Sequence, residues 1–205
     1  LPKQWLRARK QDHFYQKAKR ERYRSRASYK LLEAVKKYKF IQEENVVVDL
    51  GAAPGGWLQV SGKIVGDQGF VLGVDLNPIT PLETGNIHTI TEDIRNPRAL
   101  KRIEKLLPSP ADAVLSDAAP NTTGAWEVDH ARQIELANRS LEIAVYLLRL
   151  DGGFFVKIFQ GDMFSDYLGK IKKHFQRVEI LKPQASRRRS AELFVLGMGF
   201  QKNAD

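Results

Sequence analysis

Charged residues sit where apolar strands should end, and a glycine-rich turn sits beside them. Asp49 closes Val46-Val-Val-Asp49, Asp75 closes Phe70-Val-Leu-Gly-Val-Asp75, and Asp117 closes Ala111-Asp-Ala-Val-Leu-Ser-Asp117. Lys157 interrupts the apolar run Phe154-Phe-Val-Lys-Ile158. Ligands of open α/β sheets lie outside the carboxyl ends of the strands, so these side chains are placed to face one crevice. Asp49 leads into Leu-Gly-Ala-Ala-Pro-Gly-Gly-Trp57, a turn that lets backbone approach a bound molecule closely. A nucleotide-like cofactor fits that turn. A lysine beside a carboxylate fits acid–base work on a weakly acidic hydroxyl.

The turn reads Gly51-Ala-Ala-Pro-Gly55-Gly56 rather than Gly-x-Gly-x-x-Gly, and no Gly-Lys-Ser/Thr follows. The phosphate-gripping amides of a dinucleotide or P-loop site need a different arrangement. A nucleoside with a zwitterionic amino-acid tail and no phosphate fits better, and S-adenosylmethionine is such a molecule. Gly51, Gly55 and Gly56 would then allow close approach. Trp57 reads equally as a cofactor wall or as a packing aromatic. Asp75 is placed to accept from the ribose hydroxyls, and Asp93 from the adenine amino group. Asp117 is followed by Ala-Ala-Pro-Asn121, whereas methyltransferases of amino groups commonly carry Asp/Asn-Pro-Pro-aromatic, which tilts against a base nitrogen as acceptor. A ribose 2′-hydroxyl must lose its proton to react, and a lysine normally titrates near ~10.4. Burial and a nearby cation such as Lys30 favour a neutral Lys157, while Asp117 and Glu192 oppose that and orient the amines. The sequence leaves this competition open.

The surrounding pattern supplies the elements. Ser28–Tyr38 reads as a helix with Leu31, Leu32 and Val35 buried and Lys30, Lys36 and Lys37 towards solvent. Strands are expected at 46–50, 69–75, 87–91, 111–117, 154–158, 178–181 and 192–198. Helices are expected after Pro54 and at 97–106, 128–150 and 163–174. Alternating strands and helices, several strands apolar throughout, indicate a mostly parallel sheet covered on both faces.

The 205 residues suit one well-buried domain. No apolar run approaches the ~20 residues of a membrane span, and no apolar signal segment follows the basic start, so the expected location is cytoplasmic. Cysteine is absent, which excludes disulfides and thiolate chemistry in this chain. The histidines, His13, His88, His130 and His174, lack metal-ligand spacing, and no metal is expected. The net charge of +9 is uneven: residues 1–30 carry eleven Lys/Arg against Asp12 and Glu21, and Lys182 with Arg187-Arg188-Arg189 forms a second cluster. Such patches suit a phosphate backbone. Tyr15, Tyr23 and Tyr29 interleave with the first cluster and would either stack on unpaired bases or anchor the arm.

Taken with Arg24-Ser-Arg-Ala-Ser-Tyr-Lys-Leu31, Val156-Lys-Ile-Phe-Gln-Gly161 and Lys182-Pro through Ser190-Ala-Glu192, these motifs resemble the FtsJ/RrmJ family of S-adenosylmethionine-dependent RNA 2′-O-ribose methyltransferases over nearly the whole chain. The resemblance implies a Rossmann-like class I methyltransferase with a seven-stranded sheet over 24–205, preceded by a basic arm over 1–23. It implies an active-site set of Lys30, Asp117, Lys157 and Glu192, with Lys157 as proton acceptor. Cofactor contacts would fall on Gly55, Trp57, Asp75, Asp93 and Asp117. RNA contacts are expected at Arg24, Arg26, Lys182 and Arg187–Arg189. The implied partner is RNA, foremost a uridine of large-subunit ribosomal RNA, free or in a ribosomal particle, bound by a monomer. The anticodon loop of transfer RNA is the alternative acceptor. A noncatalytic RNA-binding or assembly protein is the alternative class.

Overall fold

The computed structural model describes residues 12–187 and 190–202. Arg188 and Arg189 lie outside the described residues. Seven strands form one sheet: β1 (Val46–Leu50), β2 (Phe70–Asp75), β3 (Ile87–Thr91), β4 (Ala111–Ser116), β5 (Leu148–Phe159), β6 (Phe175–Leu181) and β7 (Glu192–Phe200). Their order is β3-β2-β1-β4-β5-β7-β6. Adjacent strands are parallel except at β7, which runs antiparallel to both β5 and β6. The chain progresses outward from β1 to β2 and β3, then returns to place β4 on the other side of β1. That reversal opens a crevice at the carboxyl ends of β1 and β4, where such sheets bind ligands.

The period of two along each strand serves two cores. Val46, Val48 and Leu50 join the core roofed by α4 (Ala99–Glu104), α5 (Trp126–Leu147) and α6 (Phe164–His174). Val47, Ala113, Leu115 and Phe155 join the opposite core under α2 (Ser28–Tyr38) and α3 (Gly56–Val65). Helices therefore cover both faces, as the apolar strand runs required. Several boundaries shift from expectation, with β6 starting at Phe175 and β7 running on to Phe200. Helix α5 spans Trp126–Leu147 because Leu148 turns to extended backbone and pairs with Ala111, so β5 starts six residues before Phe154. The basic arm also holds a helix, α1 (His13–Arg20), capped by Asp12, whose side chain accepts from Tyr15 N–H at 3.0 Å. Its Ala18 packs with Tyr29 and Ala185, fastening the arm to α2 and to the segment before β7.

The central strand carries one carboxylate into the interior. Asp49 is fully buried, and neither of its carboxylate oxygens has a hydrogen-bond partner. Burial, reinforced by the charges of Asp117 and Asp75, pushes its carboxyl well above the ordinary aspartate range. Unfolded aspartates titrate near ~3.9, so above that pH native Asp49 holds a proton that the unfolded chain has released. Stability from this residue is greatest below that value and declines as pH rises towards the native pKa. The thermal-unfolding advantage of Asp49→Asn over the wild type should therefore be small near pH 4 and widen by pH 7.5. An advantage that does not change with pH would contradict a protonated Asp49.

Candidate active site

A cavity of about 610 Å³ opens at the crevice, within the size range of small-molecule sites. Gly51 and Ala53 line it from the β1–α3 turn, Asp75 and Asn77 from the end of β2, and Asp93 to Arg95 from beyond β3. Asp117 to Asn121 line it from beyond β4, and Arg132, Glu135 and Leu136 from α5. Gly51 has φ +76°, and a Cβ there would lie 2.6 Å from the Ala118 Cα. The turn after β1 and the loop after β4 thus touch backbone to backbone, and only glycine permits it. Gly55, at φ +105°, caps α3. Gly56 leaves no room for a side chain because Ser25 Oγ and Ser28 Oγ press against it.

The acidic residues expected around the cofactor reach the cavity already braced. Asp75 Oδ2 accepts from Ala53 N–H at 2.9 Å and Oδ1 from Asn77 N–H at 2.8 Å, tying the glycine turn to the end of β2. Asp93 is held by Arg95 at 2.7 Å, and that guanidinium keeps its carboxyl below the usual range. Burial would raise the Asp117 carboxyl, but Lys157 and Lys30 outweigh burial and hold it low.

Two buried ion pairs extend the cavity's edge. Lys157 Nζ lies 2.9 Å from Asp117 Oδ1 and donates to the Asp117 carbonyl at 2.6 Å. Lys30 Nζ lies 2.7 Å from Glu192 Oε1, and Glu192 also accepts from Ser186 Oγ at 2.7 Å. The strand register sets this arrangement, since β5 and β7 pair Lys157 with Phe194 and Phe159 with Glu192. Lys30 stands over the Phe194 ring at 5.1 Å. The four residues expected to act together are therefore brought together. Lys30, which helical periodicity directs to solvent, is only 7% exposed, because β7 presents Glu192 to it.

Other expected contacts do different work. Trp57 is buried, absent from the cavity wall, and stacked on Phe155 at 5.4 Å with its indole N–H donating to Ala27 carbonyl at 2.8 Å. It is a packing aromatic that fixes α3 to α2. Arg24 donates to the carbonyls of Pro54, Thr80 and Pro81 at 3.2, 2.5 and 2.8 Å, so it pins the glycine turn to the β2–β3 connection instead of reaching outward. Arg26 is paired with Asp12, and Lys182 donates to the carbonyls of Ser190 and Glu192. These three cations fold the chain around the site. Sequence reading also missed Gln133, whose amide donates to the carbonyls of Lys157 and Ala118 at 3.1 and 3.2 Å and so joins β5 to the loop after β4. Its signal was a buried polar residue on the apolar stripe of a long helix. Among the described residues no group of three or more metal-ligating side chains converges. No helix among them is long and apolar enough to cross a membrane.

Residues 23–200 match the FtsJ-like methyltransferase family. A ribosomal RNA large subunit methyltransferase E of Methanococcus aeolicus is 49% identical over 99% of this chain and 77% of its own length. The protein of the same name from Methanothrix thermoacetophila is 52% identical over 91% of this chain and 71% of its own. Among solved structures, a ribosomal RNA methyltransferase of Plasmodium falciparum superimposes with a TM-score of 0.74 at 27% identity, covering 87% of this chain and 98% of its own. The fibrillarin pre-rRNA processing protein of Methanococcus jannaschii shares the fold, with a TM-score of 0.60 at 16% identity over 85% of this chain and 76% of its own.

The ion pairs make a stability prediction independent of any ligand. Glu192→Leu leaves Lys30 buried without its counter-charge and should cost roughly 3 kcal/mol in urea unfolding. The double variant Lys30→Met/Glu192→Leu should recover most of that loss. Equal losses in the single and double variants would show that the pair is not what organises this corner.

Proposed function

The chain belongs to the FtsJ-like methyltransferase family, and we propose that it methylates a ribose 2′-hydroxyl of large-subunit ribosomal RNA with S-adenosylmethionine as donor. The observation that carries this reading is the double placement of Asp117: it lines the cofactor-sized cavity and pairs with Lys157. A methyl donor in the cavity and an acceptor oxygen at the lysine would thus meet at one carboxylate.

The cavity fits the donor. Its entry turn carries no lysine or arginine, and its wall holds Asp75, Glu92, Asp93, Asp117 and Glu135 against Arg95 and Arg132, a net negative lining that suits a cationic nucleoside. In this reading Asp75 accepts from the ribose hydroxyls, Asp93 accepts from the adenine amino group, and Gly51 allows the close approach of the amino-acid tail. Gly55, off the cavity wall and facing Arg24, supports the turn as the cap of α3. When bound, S-adenosylmethionine supplies an electrophilic methyl group and takes back the carbon–sulfur electron pair as that methyl leaves.

The chain's own residues account for the acceptor side. A neutral lysine has two N–H bonds and one lone pair. In Lys157 one N–H is taken by the Asp117 carbonyl at 2.6 Å, and Oδ1 of the same residue lies 2.9 Å from Nζ, so in this reading the unprotonated amine is held to meet a third partner. That partner is the 2′-hydroxyl, whose proton passes to Nζ as the oxygen bonds to the methyl carbon. Lys30, held by Glu192, contributes positive charge that steadies Asp117 as an acceptor. Holding oxygen and methyl in line accounts for a large share of the rate. Arg187, with Arg188 and Arg189 beyond it in the chain, is the cluster left to meet phosphate, and the cytoplasm is where the substrate is met.

Mapping ribose methylation on total RNA from a strain lacking the protein should show one large-subunit ribosomal position unmethylated. A lost mark on transfer RNA, or restoration of the mark by inactive protein, would overturn the assignment. Lys157→Ala should abolish methylation of that RNA while S-adenosylmethionine affinity stays within a few fold, read by calorimetry. Normal turnover would remove Lys157 as the proton acceptor. Arg187→Glu should weaken RNA binding most at low salt, and the log–log salt slope should flatten. An unchanged slope would make that residue ordinary solvated surface.

A further inference from the structure

Beyond Lys157 lies an aromatic stack that neither the cavity nor the four-residue site uses. Phe159, two residues further along β5, has its ring centroid 6.1 Å from that of Trp126, the first residue of α5, with the planes 22° apart. Trp126 also lies parallel to His130, at 5.5 Å and 13°. His130 is 4% exposed and cannot yield: a Cβ on Gly161 would fall 2.7 Å from its Nε2, and Met163 N–H donates to that nitrogen at 3.4 Å. Asp129 closes the preceding loop onto α5 by accepting from Thr123 N–H and Gly124 N–H at 2.7 and 3.1 Å. Trp126 itself is 48% exposed. Nearly half of a large aromatic side chain is thus left in water while two rings already pack on it, so most of the ordering cost of stacking is met before a ligand arrives.

The surroundings select the occupant. Glu127 and Asp162 are exposed neighbours in the chain, so a phosphate or an anionic lipid surface is disfavoured here, whereas the neutral face of a planar base is not. Placement points the same way. The two residue steps along β5 from Lys157 to Phe159 advance about 7 Å, within reach of a base flanking a ribose held at Lys157. The loop from Asp117 to Ala125 connects this platform directly to the cavity.

Resting on the ribose-methylation reading above, we propose that Trp126, backed by His130 and Phe159, is the stacking platform for an unpaired base of the substrate RNA adjacent to the methylated ribose. Stacking of this kind tolerates any base and holds a single strand in an open conformation.

The test uses a short RNA carrying the mapped nucleotide, together with versions bearing one abasic site at each flanking position. Trp126→Ala should raise KM for the intact RNA about 5- to 100-fold, more than it changes kcat, with S-adenosylmethionine affinity unaltered. Trp126→Phe should restore most of the loss. One abasic position should cost the wild type a similar factor and cost Trp126→Ala almost nothing. Equal abasic penalties in both proteins would overturn the platform while leaving the ribose-methylation reading intact. An unchanged KM on naked RNA, with a defect only on assembled particles, would overturn it in favour of a protein partner. Failure of the wild type to methylate any ribose would remove the ribose-methylation reading and this inference with it.

Discussion

The pairing of Asp117 with Lys157 is the constraint on which the site depends. Asp117 sits just past β4, at the point where the sheet reverses its strand order, and its own N–H donates to the Leu50 carbonyl at 3.2 Å. It is thereby tied to β1, to the cavity and to β5 at once. Glycine at position 51 allows this, because any Cβ there would push the β4 loop, and Asp117 with it, away from the turn. A displacement of an ångström at such a junction separates donor from acceptor, and positioning errors of that size are costly to a group transfer.

Burying two ion pairs here brings no obvious stability advantage. Desolvation of each ion costs several kcal/mol, and apolar replacements of similar shape are often as stable. The pairs do fix direction. Lys30 comes from α2, Glu192 from the antiparallel β7, Asp117 from the end of β4 and Lys157 from β5. Charges from four separate elements meet with 2.7 and 2.9 Å contacts only if β7 is inserted between β5 and β6 in the observed register. Lys182 reinforces this by donating to the Glu192 carbonyl, and Ser186 by donating to its carboxylate. The reversed strand therefore contributes a carboxylate of this ion-paired cluster as well as extending the sheet.

Much of this could be read from the chain because strand-end position is a local property. Asp75, Asp117 and Lys157 each follow or interrupt an apolar run, and an apolar run announces its strand. What escaped depends on contacts distant in sequence. Arg24 looks like any cation of a basic arm until Thr80 and Pro81 turn their carbonyls towards it. Lys30 looks exposed on a helical wheel until β7 arrives. Trp57 lies beside two glycines of the cofactor turn, yet its helix turns it away into Phe155 and Phe194. Helix α1 was hidden because of its eight residues only Ala18 is buried, with Phe14 partly packed beside it, too little for an apolar stripe to show in a basic arm.

The charge distribution gives the final link between fold and ligand choice. The chain carries +9 overall, but its interior crevice is acidic. Asp49 shows how strongly, since Asp117 and Asp75 add to burial in forcing a proton onto it. Such a crevice disfavours a dinucleotide's pyrophosphate and suits the cationic nucleoside proposed above. The basic exterior favours the polyanion that carries the acceptor. The two ligands are thus sorted by sign before any specific contact forms. Lys157 lies at the edge of the acidic crevice, beside its carboxylate Asp117.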